Sequence, residues 1–137
     1  MNSKWLSFSG ICILLVMLCF SGCGGGNKKA ELQSSLNMKI LLEAIHGYHE
    51  ENKQWPDKLA DVKDHAYKVI EQRGEDTDFM KVMINPVSGD DPGYEYIAPK
   101  EGDDLDSTVM LYQLSSGDRV LTLPVGFQSG SVAPLPE

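Results

Sequence analysis

Between residues 30 and 51 the apolar positions Leu32, Leu36, Ile40, Leu41, Ala44, Ile45 and Tyr48 recur every three or four residues. Residues at that spacing share one face of a 3.6-residue turn, so the pattern predicts an amphipathic helix. Asn52 and Lys53 end it, and Pro56 blocks a simple continuation while suiting the first turn of a new element. Leu59, Val62, Ala66, Val69 and Ile70 resume helical spacing. Asp57 and Asp61 favour the start of that second helix, Gly74 suits its end, and a break is expected near Asp64. Beyond Gly74, the turn signals Asn85-Pro86, Ser88-Gly89 and Asp91-Pro92-Gly93 separate short apolar runs. Strands are expected over 94–98, 108–114 and 119–125, the last two joined by a hairpin loop at Ser115-Ser116-Gly117-Asp118. Neither a lone hairpin nor a lone short helix is stable in water, so the sheet must bury one face on the first helix. The predicted fold class is α+β, with a long N-terminal amphipathic helix packed on a small antiparallel sheet.

The N-terminus follows a different logic. Lys4 gives a short basic start, and Ile11 to Phe20 is an unbroken run of ten apolar residues. A bilayer-spanning helix needs about 20, so this run has the length of a signal peptide rather than of a membrane span. It ends in Leu18-Cys19-Phe20-Ser21-Gly22-Cys23, which resembles a bacterial lipobox. The resemblance implies removal of residues 1–22 and lipid attachment, acyl chains such as palmitate included, at Cys23. Residues 23–29 are then the lipidated cysteine and a flexible polar tether, reaching at most about 20 Å. Residues 30–137 form one domain held at the cell membrane or outer membrane, outside the cytoplasm.

Cysteine usage simplifies the search for chemistry. Cys12 and Cys19 fall in the segment to be removed and Cys23 is consumed by lipid, so no thiol remains for a disulfide, a zinc-thiolate site or a nucleophile. The chain carries 20 Asp and Glu against 12 Lys and Arg, a formal charge of -8. That balance repels phosphate backbones and speaks against a nucleic-acid partner and against a second, polybasic attachment to anionic lipid.

The stretch from Leu36 through Asn37, Ala44 and Tyr48 to His49, followed by Trp55-Pro56-Asp57-Lys58-Leu59, resembles the pilin-like superfamily, which includes the type II secretion pseudopilins. Asn85-Pro86 with Tyr94-Glu95-Tyr96 is similar to that group's Pro, turn, Tyr-x-Tyr passage, and residues 125–132 are similar to its closing strand and turn. The resemblance implies a pilin-like head. Two features depart from the pattern. Arg119 and Ser129 stand where the processing-associated signature has His and Asp, so that signature is absent. Gly10 is followed at the fifth residue by Leu15, where a pilin carries Glu. The combination reads as a pilin-like head moved onto a lipid anchor.

Candidate chemistry is sparse. Glu43, His46, His49 and Glu50 lie on one helical face, and Glu43-x-x-His46 is half of a carboxylate di-metal pattern that lacks its second copy. A solvated polar face is the expectation there, with His65 at the surface and Ser129 in a turn. No serine stands in a nucleophile-elbow context, so no catalytic residue, cofactor or enzymatic activity is expected. Glu101, Asp103, Asp104 and Asp106 surround Gly102 and offer hard oxygen ligands of the type calcium takes, although their spacing misses the helix-loop-helix calcium pattern. The expected function is that of a non-enzymatic envelope lipoprotein whose pilin-like domain makes protein contacts, with type II secretion or surface-filament machinery as the implied partners. The alternative is a lipid-anchored ligand- or polysaccharide-binding module, with Tyr94, Tyr96 and Tyr112 as its platform. Those tyrosines share one exposed face in the second case and go under the helix in the first.

Overall fold

A computed structural model describes residues 25–135. The predicted signal peptide, the lipobox and Cys23 lie outside the described residues. Helix α1 spans Gly25–Asn52, 28 residues in all. The tether expected over 23–29 is therefore already helical from Gly25. A 3-10 turn at Leu59–Val62 runs into α2, Lys63–Arg73, followed by a short α3, Phe79–Met83. The strands are β1 Tyr94–Tyr96, β2 Val109–Ser115, β3 Asp118–Arg119, β4 Val125–Phe127 and β5 Val132–Ala133. The α+β architecture, with the N-terminal helix packed on a five-stranded antiparallel sheet, is as the periodicity predicts.

Burial along α1 corrects the single-stripe expectation. Met38, Ile40, Leu41, Leu42, Ala44 and Ile45 are all fully buried, and only Lys39 and Glu43 open this segment to solvent. A helix apolar on nearly every side must be covered on nearly every side. The sheet covers one flank of α1, while the 3-10 turn, α2 and α3 cover the other. Leu32, placed in the stripe by its spacing, lies before this sandwich begins and is 63% exposed.

The second helical segment breaks where Val62 gives way to Lys63, near the expected Asp64. Its start is fixed by Asp61, whose carboxylate accepts from the Lys58 amide at 3.1 Å. Gly74 ends it in the left-handed conformation at φ 65°, its amide donating back to Glu71 and Ile70. Helix α3 was not expected from the pattern. Its cap is Asp78, whose carboxylate accepts from the Lys81 amide at 3.1 Å.

In the sheet, β2 lies between β1 and β4, with β5 beyond β4 and the short β3 paired to the end of β2. Ser115 pairs with Asp118, leaving Ser116 and Gly117 as a two-residue turn with both φ angles positive, 53° and 89°. That is the twist-compatible hairpin geometry. The strand expected over 119–125 is not continuous. It pairs only at its start, and β4 begins after Pro124, whose missing amide cannot extend a ladder. A bulge on β2 sets Val109 against Phe127 and Leu111 against Gly126, so Met110 is the extra residue and is fully buried. Where α1 crosses β4, a Cβ on Gly126 would stand 3.0 Å from the Leu42 side chain and 3.1 Å from Leu111. The absent side chain is what lets helix and strand approach.

Candidate functional site

The residues that the helical wheel placed on one face of α1 end up in a groove between α1 and α2. Glu43, His46, Gly47 and Glu50 form one wall, His65, Lys68, Val69 and Gln72 the other, and the Ser129-Gly130 turn between β4 and β5 closes the end; the volume is about 560 Å³. Of the four expected together, His49 leaves the group. Its ring stacks on Trp55 at 3.9 Å between centroids, and His46 meets the same indole edge-on at 5.6 Å. The face is thus an aromatic clasp on the loop after α1 as well as a groove wall, rather than a solvated strip.

His65 is also not a surface residue, since its side chain is only 14% exposed. A Cβ on Gly47 would lie 3.2 Å from its ring, so the glycine admits the imidazole against α1. His65 Nε2 and the Glu51 carboxylate are 2.7 Å apart, with Lys68 Nζ 3.6 Å from the same oxygen. The bond from His65, and then the charge of Lys68, hold the Glu51 carboxyl below its usual range. An ionised carboxylate only accepts, so Nε2 carries the proton in this contact. Both His65 Nδ1 and His46 Nε2 are buried without a hydrogen-bond partner among the described residues. Glu43 is taken by Arg73, which donates to both its oxygens. The groove is therefore lined by two histidines whose buried ring nitrogens lack a partner among the described residues, and by the exposed Glu50. Among the described residues no three His, Cys, Asp or Glu side chains are placed to hold a metal ion.

The acidic loop is differently built. Glu101, Asp103, Asp104 and Asp106 are all exposed. The Asp103 carboxylate accepts from the Lys100 amide at 2.7 Å, and Asp104 accepts from the Ser107 amide at 3.1 Å and its hydroxyl at 2.6 Å. Two of the four candidates thus shape turns with oxygens that calcium would need. Ser129 lies in a turn as expected, its hydroxyl 3.0 Å from that of Ser131.

The three tyrosines do not share one exposed face: Tyr94 and Tyr96 lie on one side of β1, and Tyr112 pairs with Glu95 on the other. Tyr94 is 2% exposed and lies under α1, where its hydroxyl is 2.9 Å from Ser34 Oγ. Tyr96 packs against the core with its hydroxyl buried and without a hydrogen-bond partner among the described residues, and burial first, then the charge of Asp57, raises its pKa. Tyr112 is half-buried, with the Arg119 guanidinium 4.5 Å above its ring and Arg119 tied to Glu95. Two features escaped the sequence reading: the groove opposite wall from α2, and the role of Trp55. The Trp55-Pro56 pair directly after a histidine-bearing helix end was the available signal for the second. No family model matches the chain, and neither a curated protein nor a solved structure matches it.

Proposed function

We propose that the chain is a non-enzymatic envelope lipoprotein: lipid on Cys23 holds a pilin-like head at a membrane, where the head contacts protein partners of a secretion or surface-filament assembly. The observation that supports this best is the start of α1 at Gly25, two residues after Cys23, and its unbroken course to Asn52 through the core. An anchor joined to the central helix of a domain constrains where that domain stands, which suits an assembly subunit. The order of helix, turn and antiparallel sheet is the order the pilin-like resemblance implies. No helix among the described residues is long and apolar enough to cross a membrane, so a lipid would supply the attachment. The ligand- or polysaccharide-binding alternative rested on an aromatic strand face. With Tyr94 under α1 and Tyr112 beneath Arg119, its remaining support is the groove of His46 and His65.

Two measurements test the proposal. Metabolic labelling with a palmitate analogue should mark the protein and fail in Cys23→Ser; an unlabelled mature chain cut elsewhere overturns the anchor. Photocrosslinkers placed at the exposed Met80 and Leu105 should capture a secretion or filament subunit in the native cells. Lipidated protein that captures only outer-layer polysaccharide, or no neighbour at all, overturns the assembly role.

A further inference from the structure

We propose that the open face of the first four turns of α1 docks flat on the surface of an anionic bilayer, so that the helix lies along the membrane and does not stand on it. The inference rests on the reading that Cys23 carries the lipid, which places this face beside the anchor. Lys28, Lys29, Leu32, Leu36 and Lys39 fall within an arc about 100° wide at 3.6 residues per turn, over a length of about 16 Å. Lys28, Lys29, Leu32 and Lys39 are exposed and Leu36 is half-buried. None of the three lysines has an ion-pair partner among the described residues. The leucines form an apolar centre, and the lysines flank it with long stems that can lie along lipid while their ammonium groups reach phosphate.

Three further observations point the same way. The first turn of α1 holds no acidic residue, so Lys28 and Lys29 sit at the end of a helix where its dipole opposes positive charge. Their placement costs the isolated helix stability, and an anionic surface reverses the sign. Next, the flank on the β4 and β5 side carries little charge: these strands pack beside α1, residues 120–135 contain no charged side chain, Leu121 is 58% exposed, and Glu31, about 100° from Leu32, is the acid of α1 on that side. The other flank carries acid, because Glu75 and Asp76 share a groove with Gln33 and Asn37. Those two positions are turned about 100° and 140° from Leu32 around the helix, away from the proposed contact. Glu43 and Glu50 continue the arc beyond Lys39: Glu43 is paired with Arg73, and Glu50 stands about 16 Å further along the axis than Lys39. Over residues 28–39 this side of α1 thus carries three lysines against one flanking acid, Glu31, and a lipid chain combined with a basic patch is the two-signal arrangement that gives durable attachment.

The test uses the mature protein purified from membranes, with intact mass reading the lipid on Cys23 separately. Leu32→Trp and, as a control on α3, Met80→Trp are reconstituted in vesicles of phosphatidylcholine alone or with phosphatidylglycerol, containing brominated acyl chains. The expected result is quenching of Leu32→Trp beyond that of the parent in anionic vesicles, with none added for Met80→Trp. Replacing Lys28, Lys29 and Lys39 with Gln should lower the docked-to-undocked ratio on the order of a hundredfold, and high salt should mimic the loss. A lipid-bearing protein whose Leu32→Trp stays unquenched overturns the proposal, whether the helix stands upright or a protein covers the face. Equal quenching in neutral vesicles, or in the lysine variant, overturns it as well. A mass without lipid defeats the anchor alone, since anionic-vesicle quenching of the unlipidated chain still reports the face.

Discussion

Ser34→Ala should be more damaging than Tyr94→Phe, although the two hydroxyls touch. Ser34 Oγ is 2.7 Å from Gln113 Oε1, a pure acceptor, so the serine proton points there. Tyr94 must then be the donor in its 2.9 Å bond to Ser34 Oγ. Gln113 in turn donates to the Pro124 carbonyl at 2.8 Å, which completes a relay from α1 through β2 to the entry of β4. Ser34, Tyr94 and Gln113 are at most 2% exposed, so water cannot replace a lost partner. Tyr94→Phe removes one donor and leaves Ser34 bonded to Gln113, a loss of about 1 kcal/mol. Ser34→Ala strands two buried groups, the tyrosine hydroxyl and the glutamine oxygen, at about 1–3 kcal/mol each. The hydroxyl keeps only a long 3.4 Å contact to the Ser34 carbonyl. A total of about 2–3 kcal/mol is expected, a large share of a small domain's stability. The double variant strands only Gln113 Oε1, so it should be no less stable than Ser34→Ala alone. Urea unfolding of a chain beginning at Gly25, followed by Trp55 fluorescence, measures all three. A loss in Tyr94→Phe equal to that in Ser34→Ala, or strictly additive losses, would refute the proton order and the relay.

Gly93→Ala should prevent normal folding, because its Cβ would stand 2.1 Å from the Asn85 backbone nitrogen, and loss of the cooperative transition by circular dichroism is the readout. Alkaline stability follows from Tyr94 and Tyr96. Burial is the first cause that raises both, with Ser34 and Asn37 partly opposing it at Tyr94 and Asp57 adding to it at Tyr96. A raised folded-state pKa means the native state keeps protons that the unfolded chain releases above about pH 10, so their contribution is intact below that pH and falls as pH rises further. Melting temperatures from pH 9 to 11.5 should decline, and Tyr94→Phe with Tyr96→Phe should flatten the decline. An unchanged slope in that double variant contradicts the burial argument. Millimolar calcium should leave the melting temperature unchanged, since Asp103 and Asp104 already serve turns; a rise that disappears in Asp103→Asn with Asp104→Asn would show the loop to be a site.

The sequence pattern and the structure agree where one physical requirement dominated and part where two competed. Helix α1 was legible because Ile40, Leu41, Ala44 and Ile45 meet a single packing demand. A search for one stripe left out Met38 and Leu42, the residues that make α1 a central helix with cover on both sides. Its start was missed because Gly25 and Gly26 favour coil locally, whereas elongation of a helix already nucleated by a buried core adds one hydrogen bond per residue. Helix α3 is too short for periodicity to separate it from the surrounding turns, although the Asp78 cap was readable. The expected strand over 119–125 had the composition of one, but Gln113 draws the Pro124 carbonyl toward the buried side of β2 and no ladder forms between 120 and 124. The groove of His46 and His65 needed knowledge of how α2 packs, which no spacing within one helix contains. The proposed lipid contact departs from the charge reading for a different reason. A net charge of -8 is a sum over the whole chain, while a screened interaction decays over about 10 Å at 0.1 M salt, so a surface senses only the charges near it. Lys28, Lys29 and Lys39 on one arc, beside sixteen residues with no charge at 120–135, create a local sign opposite to the total. In the proposed docked state that arrangement would decide attachment to an anionic surface, and the total charge would act on the far side of the domain, keeping the acidic face turned away from the lipid.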